Sequence, residues 1–322
     1  MRATLMLFIT CLLPFTALAD PLPSWREGTA KDRIVSFVAG VTDPASDQYV
    51  TPDDRIAVID NDGTLWAEKP IYFQFLFALD RLKAMAAADP SVLSSDTLRA
   101  AAAGDMAAVA AAGNEGLLEI VSTTHSGISV EDFIAESRSW LAEARHPDTG
   151  KPFDEMVYQP MLELLRYLRD KGFSTYIVSG GGVHFLRAFA EEAYNIPPHQ
   201  VVGSEVNLSY EVIEGTPVVV KKPGLLFLDD KAGKPVAIDR RIGKRPIFAA
   251  GNSDGDFQML EWTTAGEGPR FAMIVHHTDA EREWAYDRES HVGKLVRGLD
   301  EGPDRGWLIV DMKAEWEQVW PD

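Results

Sequence analysis

The chain has 322 residues, 46% hydrophobic and 25% charged, a balance that suits a globular protein with a sizeable core and excludes a disordered or fibrous one. Its 49 acids against 31 bases leave a net charge of −18, which argues against nucleic acid or anionic membrane as a partner, because phosphate backbones are held by clustered Lys and Arg. An anionic substrate would therefore need local positive charge against an adverse overall field.

Residues 1–19, "MRATLMLFITCLLPFTALA", place one Arg before an apolar run and end on Ala17-Leu18-Ala19. This pattern predicts a secretory signal cut before Asp20 and a periplasmic or secreted mature chain. The run is short for a bilayer span of about 20 residues, so no membrane association is expected after cleavage. Cys11, the only cysteine, lies inside it, and the mature chain is expected to have no disulfide.

A helix is predicted around "AKDRIVSFVAGV", followed by a short buried strand, "RIAVID". From 70 to 152 the chain turns Ala- and Leu-rich, with acids near segment starts and apolar residues at helical spacing. This stretch reads as a helical domain inserted between two parts of a core, residues 20–69 and 153–322. Strand and helix then alternate: "QPMLELLRYLRDKG" as a helix, "FSTYIVS" as a strand, "GGVHFLRAFAEEAYNI" as a helix and "QVVGSEV" as a short strand. "LSYEVIEGTPVVVKKPG" reads as a hairpin about Glu214-Gly215. "KPVAIDRRIG" and "DFQMLEWTTAG" are predicted helices, "RPIFAAG" and "RFAMIVH" predicted strands. Such alternation implies an α/β fold with a Rossmann-like parallel sheet. The four Trp residues after 280 are expected to pack a C-terminal segment back on the core.

Chemistry-bearing residues fall at the ends of predicted strands. "IAVIDNDGTL" sets Asp60 and Asp62 one residue apart, and like charges that close raise each other's cost unless a cation or a reaction uses them. The carboxyl ends of parallel strands are where open α/β sheets bind ligands. A calcium loop fails here: with Gly63 at its sixth position, Val58 would be the first ligand and Lys69 the last. "VSGGG" offers the Ser179 hydroxyl and, from Gly180 on, main-chain amides suited to an anion. "DKAGKPVAI" puts Lys231 and Lys234 just ahead of a helix, and "AAGNSDGD" clusters Asn252, Ser253, Asp254 and Asp256.

Together these four stretches resemble the haloacid dehalogenase-like superfamily, in particular its phosphoserine phosphatase-like branch, over residues 55 to 280. The resemblance implies a core sheet with a helical cap inserted after its first strand, here 70–152, and a phosphoric monoester hydrolase dependent on Mg²⁺. It implies Asp60 as nucleophile, Asp62 as acid and then base, and Thr64, Ser179 and Gly180 as substrate-binding residues. Lys234, preferred to Lys231, would steady the nucleophile, and Asp60, Asp62, Asn252 and Asp256 would hold the metal. The carboxylate at Asp62 is absent from the family's dehalogenases, so carbon–halogen hydrolysis is not expected. The family's fourth motif begins Gly-Asp, and Asn252 departs from it.

The expected partner is a small phosphorylated metabolite. The competing readings are a phosphotransferase or phosphomutase of the same fold, or a decayed protein that binds phosphate or metal. For Asp60 and Asp62 the plainer alternative is a solvated turn. Glu68 reads equally well as a surface acid, and His276 and His277 as structural or solvent-facing residues.

Overall fold

The computed structural model describes residues 20–322, and the expected signal segment, with Cys11, lies outside the described residues. The strands are β1 (Ile56–Ile59), β2 (Ile128–Ser129), β3 (Ser174–Gly182), β4 (Val201–Ile213), β5 (Thr216–Phe227), β6 (Phe248–Gly251), β7 (Phe271–His276) and β8 (Leu308–Asp311). They form one sheet in the order β2-β5-β4-β3-β1-β6-β7-β8. From β4 to β8 neighbouring strands run parallel, while β5 joins β4 and β2 antiparallel. This is the expected α/β class.

The central strand shows why a continuous apolar run becomes a parallel strand. All four residues of β1 are buried. Ala57 and Ile59 belong to an apolar cluster with Ile34 and Val38 of helix Thr29–Thr42 and Leu164 and Leu168 of helix Gln159–Asp170. Ile56 and Val58 point the other way, into a cluster with Ile238 of helix Gly233–Arg241 and Phe257 and Leu260 of helix Phe257–Thr264. The period of two thus divides one strand between two helix-covered faces.

Between β1 and β3 run helices Phe73–Ala88, Asp96–Ala103, Met106–Ala111, Gly113–Thr124 and Val130–Glu143. Phe75, Leu79, Leu82, Leu98 and Ile120 make an apolar cluster of their own, while Phe73, Phe77, Phe133 and Leu141 pack into the main core. The segment also contributes β2, which pairs Ile128 with Lys221 of β5. Periodicity did not foresee this strand because it is two residues long.

Three further differences have local causes. The helix expected from 181 onward is broken into Val183–Leu186 and Ala190–Tyr194, and the break lays Phe189 flat on Trp66, ring centroids 4.3 Å apart. The short strand at 201 and the hairpin's first strand are one continuous β4, and its turn holds Glu214 at φ 52° and Gly215 at φ 82°. Two successive positive φ values are what a two-residue hairpin needs, and glycine takes one without penalty. The Trp-rich terminus adds β8 beside β7, with Trp25 and Trp316 packed edge to face at 5.9 Å. Among the described residues no helix is long and apolar enough to cross a membrane.

Candidate active site

The register of the sheet brings three of the four motif stretches to one edge. Ile59 pairs with Ile177 on β3 and with Ala250 on β6, so Asp60, Ser179 and Asn252 leave neighbouring strands on the same side. The main-chain N–H of Asp60 donates to Ala250 O at 3.0 Å, which continues the ladder to the start of the site. The fourth element, helix Gly233–Arg241, delivers Lys234 from one face of the sheet.

Lys234 is buried to 2% exposure and its Nζ has three acceptors: Asp60 Oδ1 at 2.6 Å, Asp256 Oδ1 at 2.6 Å and Val178 O at 3.0 Å. Two carboxylates on one ammonium raise the Lys234 pKa against the opposing effect of burial, so the side chain stays charged. Burial and the Asp256 charge push the Asp60 carboxyl upward, and Lys234 pulls it back toward ionisation. Lys231 is exposed at φ 52° and its N–H donates to Gly255 O at 3.0 Å, while Lys244 pairs with Asp54 at 2.7 Å. Lys234 is thus the lysine seated against Asp60.

Asp62 lies on the same side, its Oδ1 accepting from Trp66 Nε1 at 2.8 Å. Burial raises its carboxyl pKa against the hydrogen bond from Trp66, which favours a group that can carry a proton. Gly63 between them sits at φ 74°, and a Cβ there would stand 2.0 Å from Asn252 Nδ2. Only glycine fits that turn. Ser179 is fully buried, and its Oγ accepts from Gly181 N–H at 3.1 Å. Asp60, Asp62, Ser179, Gly180 and Lys234 all line one cavity of about 330 Å³.

Thr64, Asn252 and Asp256 take supporting places instead. Thr64 is buried and its hydroxyl donates to Asn252 Oδ1 at 3.3 Å; it does not line the cavity, contrary to a direct substrate contact. Asp256 has Lys234 on one oxygen and the N–H groups of Asn252 and Ser253, at 3.0 and 3.1 Å, on the other. It therefore clamps Lys234 and the loop, with a hydrogen-bond partner already on each oxygen. Asp254 turns away to cap residues 296–298, accepting from Val296, Arg297 and Gly298 N–H.

The fit to Mg²⁺ rests on the oxygens left over. Among the described residues no group of three or more His, Cys, Asp or Glu is arranged to hold a metal. The second oxygen of Asp60 remains, and the amide oxygen of Asn252 keeps a lone pair beyond its single bond from Thr64 at 3.3 Å, beside main-chain carbonyls. Mg²⁺ keeps several waters and asks for only one or two carboxylates, so this sparse oxygen set fits it.

Sequence reasoning missed what stands behind Asn252. Glu68 is buried to 1% and accepts from Asn252 Nδ2 at 2.7 Å and from Tyr286 Oη at 2.8 Å. Burial pushes its carboxyl up to about 7. His277 is likewise buried, with Nε2 2.8 Å from Gly63 O and Nδ1 3.1 Å from Glu283 Oε2. Burial alone would lower its pKa, but the Glu283 carboxylate outweighs this and raises it. Glu68 is therefore not a surface acid, whereas His277 takes the structural one of its two plainer readings. The only signal for the pairing was the coincidence of an amide at the motif's acidic position with a nearby unassigned acid.

A model of the haloacid dehalogenase-like hydrolases matches residues 57–261. No curated protein matches the chain. Among solved structures, a protein of unknown function from Bordetella pertussis Tohama I is 16% identical, covering 80% of this chain and 98% of its own, with a TM-score of 0.51. A conserved, functionally unknown protein from Anaerococcus prevotii DSM 20548 is 16% identical over 77% of this chain and 86% of its own, with a TM-score of 0.48. A phosphoserine phosphohydrolase-like protein from Francisella tularensis subsp. tularensis SCHU S4 is 17% identical over 69% and 87%, with a TM-score of 0.36.

Proposed function

Since the chain belongs to the haloacid dehalogenase-like hydrolases, we propose that it is a Mg²⁺-dependent phosphatase of small phosphomonoesters that acts through a phosphorylated Asp60. The observation that carries this reading is the convergence of Asp60, Asp62, Ser179 and Lys234 on one cavity, with Lys234 2.6 Å from Asp60.

The chemistry follows from what each group can give. One carboxylate oxygen of Asp60 attacks phosphorus, and the bond to the ester oxygen breaks. Asp62, its carboxyl held up by burial, donates a proton to that leaving oxygen. Asp62 then takes a proton from water, which attacks the same phosphorus, restores the Asp60 carboxylate and frees inorganic phosphate. Ser179 Oγ and the Gly180 N–H offer donors to the phosphoryl oxygens, and Lys234 offsets the developing negative charge. Asp60, the Asp62 main-chain carbonyl and Asn252 would hold Mg²⁺, which supplies further neutralisation of the phosphoryl oxygens and relieves the repulsion between the paired acids.

A dehalogenase has no use for a proton donor at Asp62, whereas ester cleavage does. Purified protein should hydrolyse a generic phosphomonoester with Mg²⁺, and Asp60→Asn should abolish this; turnover that survives the substitution would remove Asp60 as nucleophile. The apolar leader at residues 1–19 supports a periplasmic or secreted enzyme, and the acidic net charge of −18 supports a free metabolite rather than nucleic acid as substrate. N-terminal sequencing of material from the periplasm should begin at Asp20; an intact Met1 in that material would contradict cleavage.

A further inference from the structure

We infer that Lys221 is a second anion-binding point in the same cavity, so that the substrate carries a carboxylate or second phosphate beside the phosphoryl group removed. The inference rests on the phosphatase reading and narrows its substrate class.

Lys221 lies on β5 between β4 and β2, its register fixed against Leu208 on one side and Ile128 on the other. The side chain is 3% exposed and lines the cavity that holds Asp60, Ser179 and Lys234. Its Nζ stands 3.2 Å from His184 Nδ1 and 4.0 Å from the Phe133 ring centroid. Among the described residues it makes no ion pair with a carboxylate, although Lys222 beside it pairs with Glu211 and Lys234 has two acids.

A buried ammonium is costly unless something compensates it. Here the protein supplies only partial relief, a ring face and an imidazole nitrogen. Burial holds the ammonium down at about 7, and the nearby Arg81 guanidinium adds to that. A ligand anion would complete the site. The surroundings fit one: His184 and His125 line the cavity with Lys221, and Gln74 bridges His125 Nε2 at 3.0 Å to the Gly182 N–H at 2.7 Å. Lys221 thus answers the need, set by the net charge of −18, for local positive charge near an anionic substrate.

The test uses Asp60→Asn protein with Mg²⁺, so that ligands bind without turnover, titrated calorimetrically with glycerol 3-phosphate, 3-phosphoglycerate and propane-1,3-diol bisphosphate. At least one of the two ligands with a second anionic group should bind about tenfold or more tighter than glycerol 3-phosphate, a difference of about 1.4 kcal/mol. Which of the two gains more distinguishes a carboxylate from a second phosphate. Adding Lys221→Met should erase the preference and leave glycerol 3-phosphate binding unchanged, while Lys221→Arg should keep part of it. Equal binding of all three ligands, binding of none, or equal weakening of all three by Lys221→Met would overturn the inference. The unmutated protein separates the two readings: the binding preference without hydrolysis of any ester would sink only the phosphatase, and hydrolysis without the preference would sink only Lys221.

Discussion

Lys234 and Lys221 are both buried in the wall of one cavity, exposed by 2% and 3%, yet their surroundings are opposite. Lys234 has two carboxylates at 2.6 Å, so its charge is compensated before any ligand arrives. Among the described residues Lys221 has a histidine nitrogen and an aromatic face, and no acid. The contrast separates two uses of a buried cation. In the proposed reaction the Lys234 charge is preorganised, held in place to fix Asp60 and meet negative charge as it develops. At Lys221 the charge lacks an acidic partner among the described residues, which is the condition under which an incoming anion gains most.

The comparison can be broken in four ways, of decreasing size. Asp60→Asn should lower turnover by about 10⁴-fold or more, because no other group can take the covalent step; residual rates within about tenfold of the parent would contradict it. Next is stability in urea. Lys234→Met strands Asp60 and Asp256 beside each other and should cost about 3–5 kcal/mol, whereas Lys221→Met removes an uncompensated charge and should be neutral or stabilising by up to about 4 kcal/mol. Equal losses from the two substitutions would erase the distinction.

A third change tests the departure at Asn252. Asn252→Asp sets a carboxylate 2.7 Å from Glu68, where an amide now donates. Above about pH 7, where Glu68 ionises, the variant should lose about 1–3 kcal/mol, and adding Glu68→Gln should recover most of it. No recovery would mean that the pair is not coupled.

The smallest effect is on pH dependence. Lys221 loses its proton at about 7, under the influence of burial and the neighbouring Arg81, with His184 and His125 facing the same space. Its charge is present below that pH and absent above it. The kcat/KM for an ester bearing a second anionic group should therefore fall, by about tenfold per unit at most, above about pH 7 relative to that for glycerol 3-phosphate. Lys221→Met should flatten the ratio of the two profiles; an unchanged ratio would remove Lys221 from recognition.

Much of this was readable in the sequence because short motifs and strand ends coincide. β1 announced itself as four apolar residues closed by Asp60, and every strand carrying a motif was predicted at nearly its observed place. Asp60, Asp62, Ser179 and Lys234 line one cavity, as the family resemblance of their four stretches implied. Lys221 was hidden because "VVVKKPG" lies in a strand covered on both edges, where Val220 and Lys221 are buried in succession and alternation no longer marks the inner face. Glu68 and His277 were hidden for another reason: their partners, Asn252 and Gly63, lie 184 and 214 residues away, and no local period reports such a contact. β2 and β8 were missed since one is two residues long and the other sits among tryptophans that read as packing.

The most direct test of the central claim is covalent. Protein mixed with a phosphomonoester and Mg²⁺, quenched in acid and digested, should yield the peptide containing Asp60 heavier by one phosphoryl group, with no such peptide from Asp60→Asn. A phosphoryl group found on another residue, or steady hydrolysis with Asp60 never modified, would contradict it.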